Sequence, residues 1–248
     1  MRFSSKHNNS VMLASSNQST IHSSFQMEMA MKKHLLLAAM LMSSASAMAT
    51  TDFAQIDTYT IKANHDYLSG IPSTNSNGTV NAIIEIPTGD NEKWEVSKRD
   101  GSIINWEFKN GQPRVVHYLG YPGNYGTIPS TALPKSLGGD GDPLDILVLG
   151  SAMERGSVAP VRVIGGLKIL DGGEQDDKLI AVPVVEQSPF KDVETIEALQ
   201  EQYPGVVDIV KIWFDNYKGP DGEIEVQGIM SSKEATKVLN QAISHYKP

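Results

Sequence analysis

The sequence predicts a mainly β domain of the α+β class, a small closed barrel with helices packed on it. Three observations carry that expectation. Short runs of β-forming character recur through the middle of the chain, at 80–86, 93–97, 103–108, 114–118, 146–149, 159–170 and 179–185, and glycine or proline separates nearly all of them. Helical periodicity comes only late. No internal repeat or linker divides the chain after its first 79 residues, so 80–248 reads as one domain. Many short strands at this spacing suit an OB-like barrel better than a parallel sheet alternating with helices.

In 191–202, Val193, Ile196 and Leu199 fall at i, i+3 and i+6, and in 205–217 Val206, Val207, Val210, Trp213 and Phe214 form one apolar stripe. A last helix opens at Ser231 with Glu234 three residues on, a capping box, and runs to about His245. Residues 50–79 are polar and turn-rich, with Asp66, Gly70, Pro72 and the Ser/Asn run 73–77. They are expected to be an irregular lead-in without chemistry.

From Met31 the chain shows Lys32 and Lys33, an apolar run from Leu35 to Met42, and small residues ending in Ala47-Met48-Ala49. That order predicts a signal peptide over 31–49, cleaved near Ala49, and a periplasmic or secreted product. The apolar run of 8 residues falls well short of the roughly 20 needed to span a membrane. Residues 1–30 are read as untranslated or disordered. Cleavage would remove four basic residues and one acidic one, taking the net charge from −8 to −11. Such a surface repels nucleic acid and anionic lipid, and with 7% aromatic residues it does not suit a single-strand binding module. Without cysteine there is no disulfide, thiolate metal site or thiol nucleophile, so a metal must sit on oxygen or imidazole.

Asp140, Asp142 and Asp145 place three carboxylates within six residues, after Gly138-Gly139 and before the apolar run 146–149. An isolated turn of this kind is most often solvated surface. An EF-hand loop is excluded by spacing: with Asp140 first, Asp145 stands where glycine is required and Ser151 where glutamate is. Like charges held together call for protonation or a multivalent cation, and all-oxygen ligands select hard ions. A second acidic group, Asp171 and Asp176 across Gly172-Gly173 with Lys178 following, ends another strand. Two such loops at strand mouths make a shared multi-metal site more plausible than either alone.

Asp140-Gly141-Asp142-Pro143-Leu144-Asp145-Ile146 fits the signature D-[SGDN]-D-[PE]-[LIVMF]-D, followed by an aliphatic residue, and thereby resembles the soluble family I inorganic pyrophosphatases. The likeness extends from about Ile83 to Lys218. Ile84-Glu85-Ile86-Pro87 is similar to the family's entry strand, Lys93-Trp94-Glu95 to its Lys-x-Glu, and Tyr121-Pro122-Gly123-Asn124-Tyr125-Gly126 to its paired-tyrosine loop. Tyr217-Lys218 resembles the pair that ends a helix, and Asp171, Asp176 and Lys178 match D-x4-D-x-K. Two positions depart. Glu107 stands where the bacterial type has a phosphate-binding arginine; Arg114, after a short insertion, is placed more as in the eukaryotic type, with Lys109 as the second candidate. Gly172 replaces a glutamate.

The resemblance implies hydrolysis of pyrophosphate to two orthophosphates with several magnesium ions per site, manganese or zinc being possible substitutes. It assigns Asp140, Asp145 and Asp171 to a first metal, Asp145 also to a second, and Asp171 and Asp176 to one that arrives with substrate. Glu85 and Glu95 line the cavity through water or metal. Asp142 becomes the base for the attacking water, and Lys93, Arg114, Tyr125, Lys178, Tyr217 and Lys218 the substrate contacts. It also implies a homo-oligomer. A catalytically degenerate member that only binds metal or phosphate is the alternative.

Overall fold

The computed structural model describes residues 52–247. The expected leader and the segment before it lie outside those residues. Strands β1 (Phe53–Asp57), β2 (Thr60–Ala63), β4 (Trp94–Val96) and β5 (Ile103–Trp106) form a small antiparallel sheet in the order β1-β2-β5-β4. The larger sheet is built from β3 (Val80–Ile86), β8 (Asn124–Thr127), β9 (Asp145–Val148), β10 (Val158–Asp171), β11 (Glu174–Gln175), β12 (Lys178–Pro183) and β13 (Ile224–Met230). Between the two sheets in sequence, β6 (Phe108–Lys109) and β7 (Gln112–Pro113) make a separate hairpin.

The ladder β3-β8-β9-β12-β10 closes on itself, because β10 pairs with β12 along 161–167 and with β3 along 158–161. The barrel is therefore closed, as expected, and its edges are removed by pairing. Beyond the ring the far half of β10 is covered by β13 and β11. β9 and β12 are the parallel pair, registered so that Asp145 faces Lys178. The beginnings of these two strands and the end of β10 consequently share one rim.

Period-two alternation sends successive residues of one strand to different cores. Ile146 and Val148 pack with Val80, Ala82 and Ile84 against α3 (Ser232–His245), while Leu147 packs with Ile180 and Val182 against α1 (Ile196–Gln202) and α2 (Val206–Asn216). A third cluster, Ile61, Ala63, Tyr67, Trp94, Val96 and Ile104, fixes the small sheet to Ile83 of the barrel. Thr195 caps α1, and the Ser231–Glu234 capping box opens α3 as expected.

Three expectations are corrected. The lead-in is not irregular throughout: β1 and β2 are ordinary strands whose Ile61 and Ala63 are buried, but at five and four residues they leave no long apolar run in the sequence. Residues 114–118 form no strand; Val115 makes a single bridge to Glu92, because the chain here returns from the β6–β7 hairpin. β8 and β13 were not expected. β8 lies among turn-forming residues, and a bulge in the β10–β13 ladder between Gly228 and Val226 shifts the alternation of β13.

β8 meets β3 unusually closely at Gly126, where an added Cβ would stand 1.7 Å from the Ile83 carbonyl oxygen. Backbone cannot yield as a side chain would. Gly126→Ala should therefore cost about 3 kcal/mol, read as a lowered urea midpoint; an unchanged midpoint would refute the close approach.

Candidate active site

The acid run begins in a tight turn. Gly141 has φ 94°, a conformation that glycine adopts without strain, and its N–H bonds the Leu133 carbonyl at 2.9 Å. Asp140 accepts the Asp142 N–H at 2.8 Å, and Leu144 donates its N–H to Thr131 Oγ1 at 3.0 Å. Leu144 and Ile146 are buried, and Asp140, Asp142 and Asp145 line the cavity at the barrel rim. Asp142, half-exposed, accepts Lys98 Nζ.

Lys178 is buried, with 3% of its side chain exposed, and its ammonium bonds Asp145 at 2.5 Å and Asp176 from the loop just before β12. Burial opposes its charge, but the two carboxylates outweigh burial and raise its pKa. Asp176 is itself pushed up by burial, with Lys178 opposing. Asp171 is paired with Lys218, and Lys93 with Glu95 at 2.6 Å.

Glu85 is buried on β3 and accepts the Val96 N–H at 2.9 Å. Burial drives its carboxyl from the usual 4.5 up to about 8, against the opposing effects of Lys93 and that N–H. It therefore carries a proton at neutral pH. Burial also raises Tyr121, Tyr125 and Tyr217, so all three remain phenols able to donate hydrogen bonds. Trp213 braces two of the rings, Tyr217 stacking on it at 4.7 Å and Tyr121 lying at 4.5 Å, and Tyr121 in turn lies 5.2 Å from Tyr125.

Every site residue expected from the sequence lines one cavity of about 310 Å³. Arg114 is among them and Lys109 is not, which decides between the two candidates for position if not for role. Arg114 gives Nη1 to both Glu107 oxygens, at 3.0 and 2.8 Å. Sequence reading missed Lys98, Tyr121, Gln175 and Asp177 in the same lining. Tyr121 had a signal, being the first tyrosine of the paired-tyrosine loop; Lys98 lies just past its strand and had none. Also missed was Arg155 behind the site, which donates Nε to the Glu85 carbonyl at 2.9 Å, pairs with Asp90 and Glu92, and lies 4.3 Å over the Trp94 ring.

The donor set fits a hard divalent cation, since the lining is rich in carboxylate oxygens and includes no histidine or cysteine. As the side chains stand, no three carboxylates among the described residues gather closely enough to hold one ion. Lysine ammonium groups hold Asp142, Asp145, Asp171 and Asp176 instead. Ion binding requires those pairs to open.

The inorganic pyrophosphatase family model matches residues 82–247, which contain all of the barrel but the first two residues of β3, and nearly all of the cavity. The chain belongs to the inorganic pyrophosphatases. The inorganic pyrophosphatase of Campylobacter jejuni is 36% identical over 173 residues, 68% of this chain and 92% of that one. The mitochondrial inorganic pyrophosphatase of Saccharomyces cerevisiae is 38% identical over 163 residues, 58% of this chain and 52% of that one. The chain thus spans about half the length of the yeast protein, and 43% of inorganic pyrophosphatase 1 of Caenorhabditis elegans. Among solved structures, the inorganic pyrophosphatase of Thermus thermophilus superposes with TM-score 0.62 at 30% identity, covering 74% of this chain and 99% of that one. The type I inorganic pyrophosphatase of Toxoplasma gondii gives TM-score 0.69 at 26% identity, covering 75% and 92%.

The raised pKa of Glu85 has a sign that can be tested on metal-free protein. The folded chain keeps a proton that the unfolded chain releases above pH 4.5, so stability falls as pH rises from 4.5 through about 8. Glu85→Gln should remove that decline from a urea-midpoint profile. Parallel profiles for the two proteins would show that Glu85 titrates normally.

Proposed function

We propose that this inorganic pyrophosphatase chain hydrolyses pyrophosphate to two orthophosphates with several magnesium ions, and that the composition of the cavity wall is the observation that carries the reading. Five cationic side chains (Lys93, Lys98, Arg114, Lys178, Lys218) and eight acidic ones (Glu85, Glu95, Asp140, Asp142, Asp145, Asp171, Asp176, Asp177) face the same space. An excess of acids repels a tetra-anion unless divalent cations reverse the local sign. With them, the cations and phenols become free to bind phosphate oxygens. No feature of the site favours a catalytically degenerate protein.

Asp140, Asp145 and Asp171 would hold a first ion, Asp145 would bridge to a second, and Asp171 with Asp176 would hold one that enters with substrate. Glu85 and Glu95 would line the space through water or metal. When bound, the ions supply charge neutralisation and lower the pKa of an attacking water by several units. Asp142 would take a proton from that water on a carboxylate oxygen, its present partner being the exposed Lys98. Lys93, Arg114, Lys178 and Lys218 stabilise charge on the phosphate oxygens, and Tyr125 and Tyr217 donate directed hydrogen bonds. Manganese or zinc would substitute.

Phosphate release from pyrophosphate should require magnesium and stop with a chelator. Asp142→Asn should lower kcat about 100-fold or more, and Arg114→Ala should lose about 2–4 kcal/mol of transition-state stabilisation. Near wild-type turnover of Asp142→Asn at neutral pH would remove the base assignment.

Export and self-assembly belong to the same proposal. The motif order of 31–49 supports cleavage near Ala49, and the exposed Ile209 and Ile212 on α2 offer an apolar surface for a second copy. Protein isolated from the periplasm should begin near Thr50 and sediment as more than one copy; an intact leader would refute cleavage.

A further inference from the structure

Arg114 reaches the cavity, yet its guanidinium is already engaged. Both Glu107 oxygens are bonded by a single nitrogen, Nη1, at 3.0 and 2.8 Å. Among the described residues no acceptor is bonded to Nε or Nη2. A guanidinium carries five N–H donors. Only Nη1 is engaged here, which leaves the Nε hydrogen and one Nη2 hydrogen side by side on the Nε–Nη2 edge, a pair that suits side-by-side oxygens of a phosphate.

The backbone sets up this pairing. Asn110 and Gly111 have φ 54° and 75°, the left-handed pair of a two-residue hairpin turn, and they join β6 to β7. The hairpin stem brings Arg114 opposite Glu107, with Arg114 N–H bonded to the Glu107 carbonyl at 2.7 Å. The Arg114 carbonyl accepts from Lys93 N–H at 3.0 Å and from the Trp106 indole at 2.8 Å, while Glu107 N–H bonds the Lys93 carbonyl at 2.8 Å. The stem is thereby stitched to Lys93, the residue just before β4. Glu107 itself does not line the cavity, and the pair is largely shielded, with 28% and 30% of the two side chains exposed.

We propose that Glu107 is a positioning residue for the substrate clamp: by holding Nη1 it reserves the Nε–Nη2 edge of Arg114 for a phosphate group of pyrophosphate. The inference rests on the function proposed above. It has an opposite. If Glu107 were instead an internal anion competing with substrate, its removal would tighten binding.

The test is steady-state phosphate release by the full chain with magnesium, comparing wild type, Glu107→Gln, Glu107→Ala, Arg114→Ala and the double variant Glu107→Ala/Arg114→Ala. Loss of the carboxylate should raise KM for pyrophosphate about tenfold or more, the scale of one hydrogen bond to a charged group, with a smaller change in kcat. In the Arg114→Ala background the same loss should have no further effect. Unfolding midpoints establish that each variant folds, and Glu107→Gln preserves the side-chain shape if Glu107→Ala does not fold. An unchanged or lowered KM, or an equal loss without Arg114, overturns the proposal. Should the wild type release no phosphate, the function reading fails separately. Equilibrium binding of inorganic phosphate to the same proteins then decides the role of Glu107 by the same comparison.

Discussion

A buried ammonium group at the barrel rim is the constraint on which the other features of the site depend. Lysine enclosed to this degree keeps its charge only if carboxylates replace water around it. Asp145 and Asp176 do so for Lys178. The first partner is set by the parallel register of β9 and β12, the second by the loop that leaves β11. Removing one partner from such a group typically costs about 3–5 kcal/mol. The two acidic loops are therefore tied to the barrel, and to each other, through one nitrogen.

Around that centre the same arrangement repeats with more exposed cations. Asp142 with Lys98, Asp171 with Lys218, Glu95 with Lys93 and Glu107 with Arg114 each pair an acid with a base. Two of these pairs, Glu95 with Lys93 and Glu107 with Arg114, are close in sequence; Lys98 and Lys218 reach across from other elements. Partly exposed pairs contribute little to stability, because water and salt screen them. Their importance is chemical: in the proposed reaction divalent ions take the acids, and the released ammonium groups face phosphate. An acidic protein can thus handle an anionic substrate without a standing positive patch.

Aromatic packing fixes where those charges sit. Trp213 donates its indole N–H to the Leu119 carbonyl at 2.9 Å and stacks on Tyr217, tying the end of α2 to the loop before β8. Lys218 follows directly, so its position at the cavity depends on that stack. Tyr125, buried on β8, lies beneath both Lys93 and Lys178, at 5.3 and 5.9 Å from ring centre to nitrogen. A phenol buried this deeply does not ionise near neutrality, so it adds no further negative charge to an acidic wall.

Local signals were legible wherever chemistry and period coincided. The run 80–86 was read with its observed bounds, the capping box at Ser231 announced α3, and the acid run, the tyrosine loop and the Lys-x-Glu strand gave the cavity its members before any coordinates. By itself the sequence determined the class of fold, the family, and most of the charged side chains of the cavity, because these depend on residue type, spacing and order. What only the tertiary structure decided was partnership. β8 and β13 are strands because neighbours supply their hydrogen bonds, despite glycines that speak for turns. Arg114 looks displaced along the chain, yet the β6–β7 hairpin returns it to Glu107. Lys178 looks like one more cation after an acidic loop, yet it is the buried centre that Asp145 and Asp176 share. Charges choose partners by distance in space, which a one-dimensional spacing does not contain.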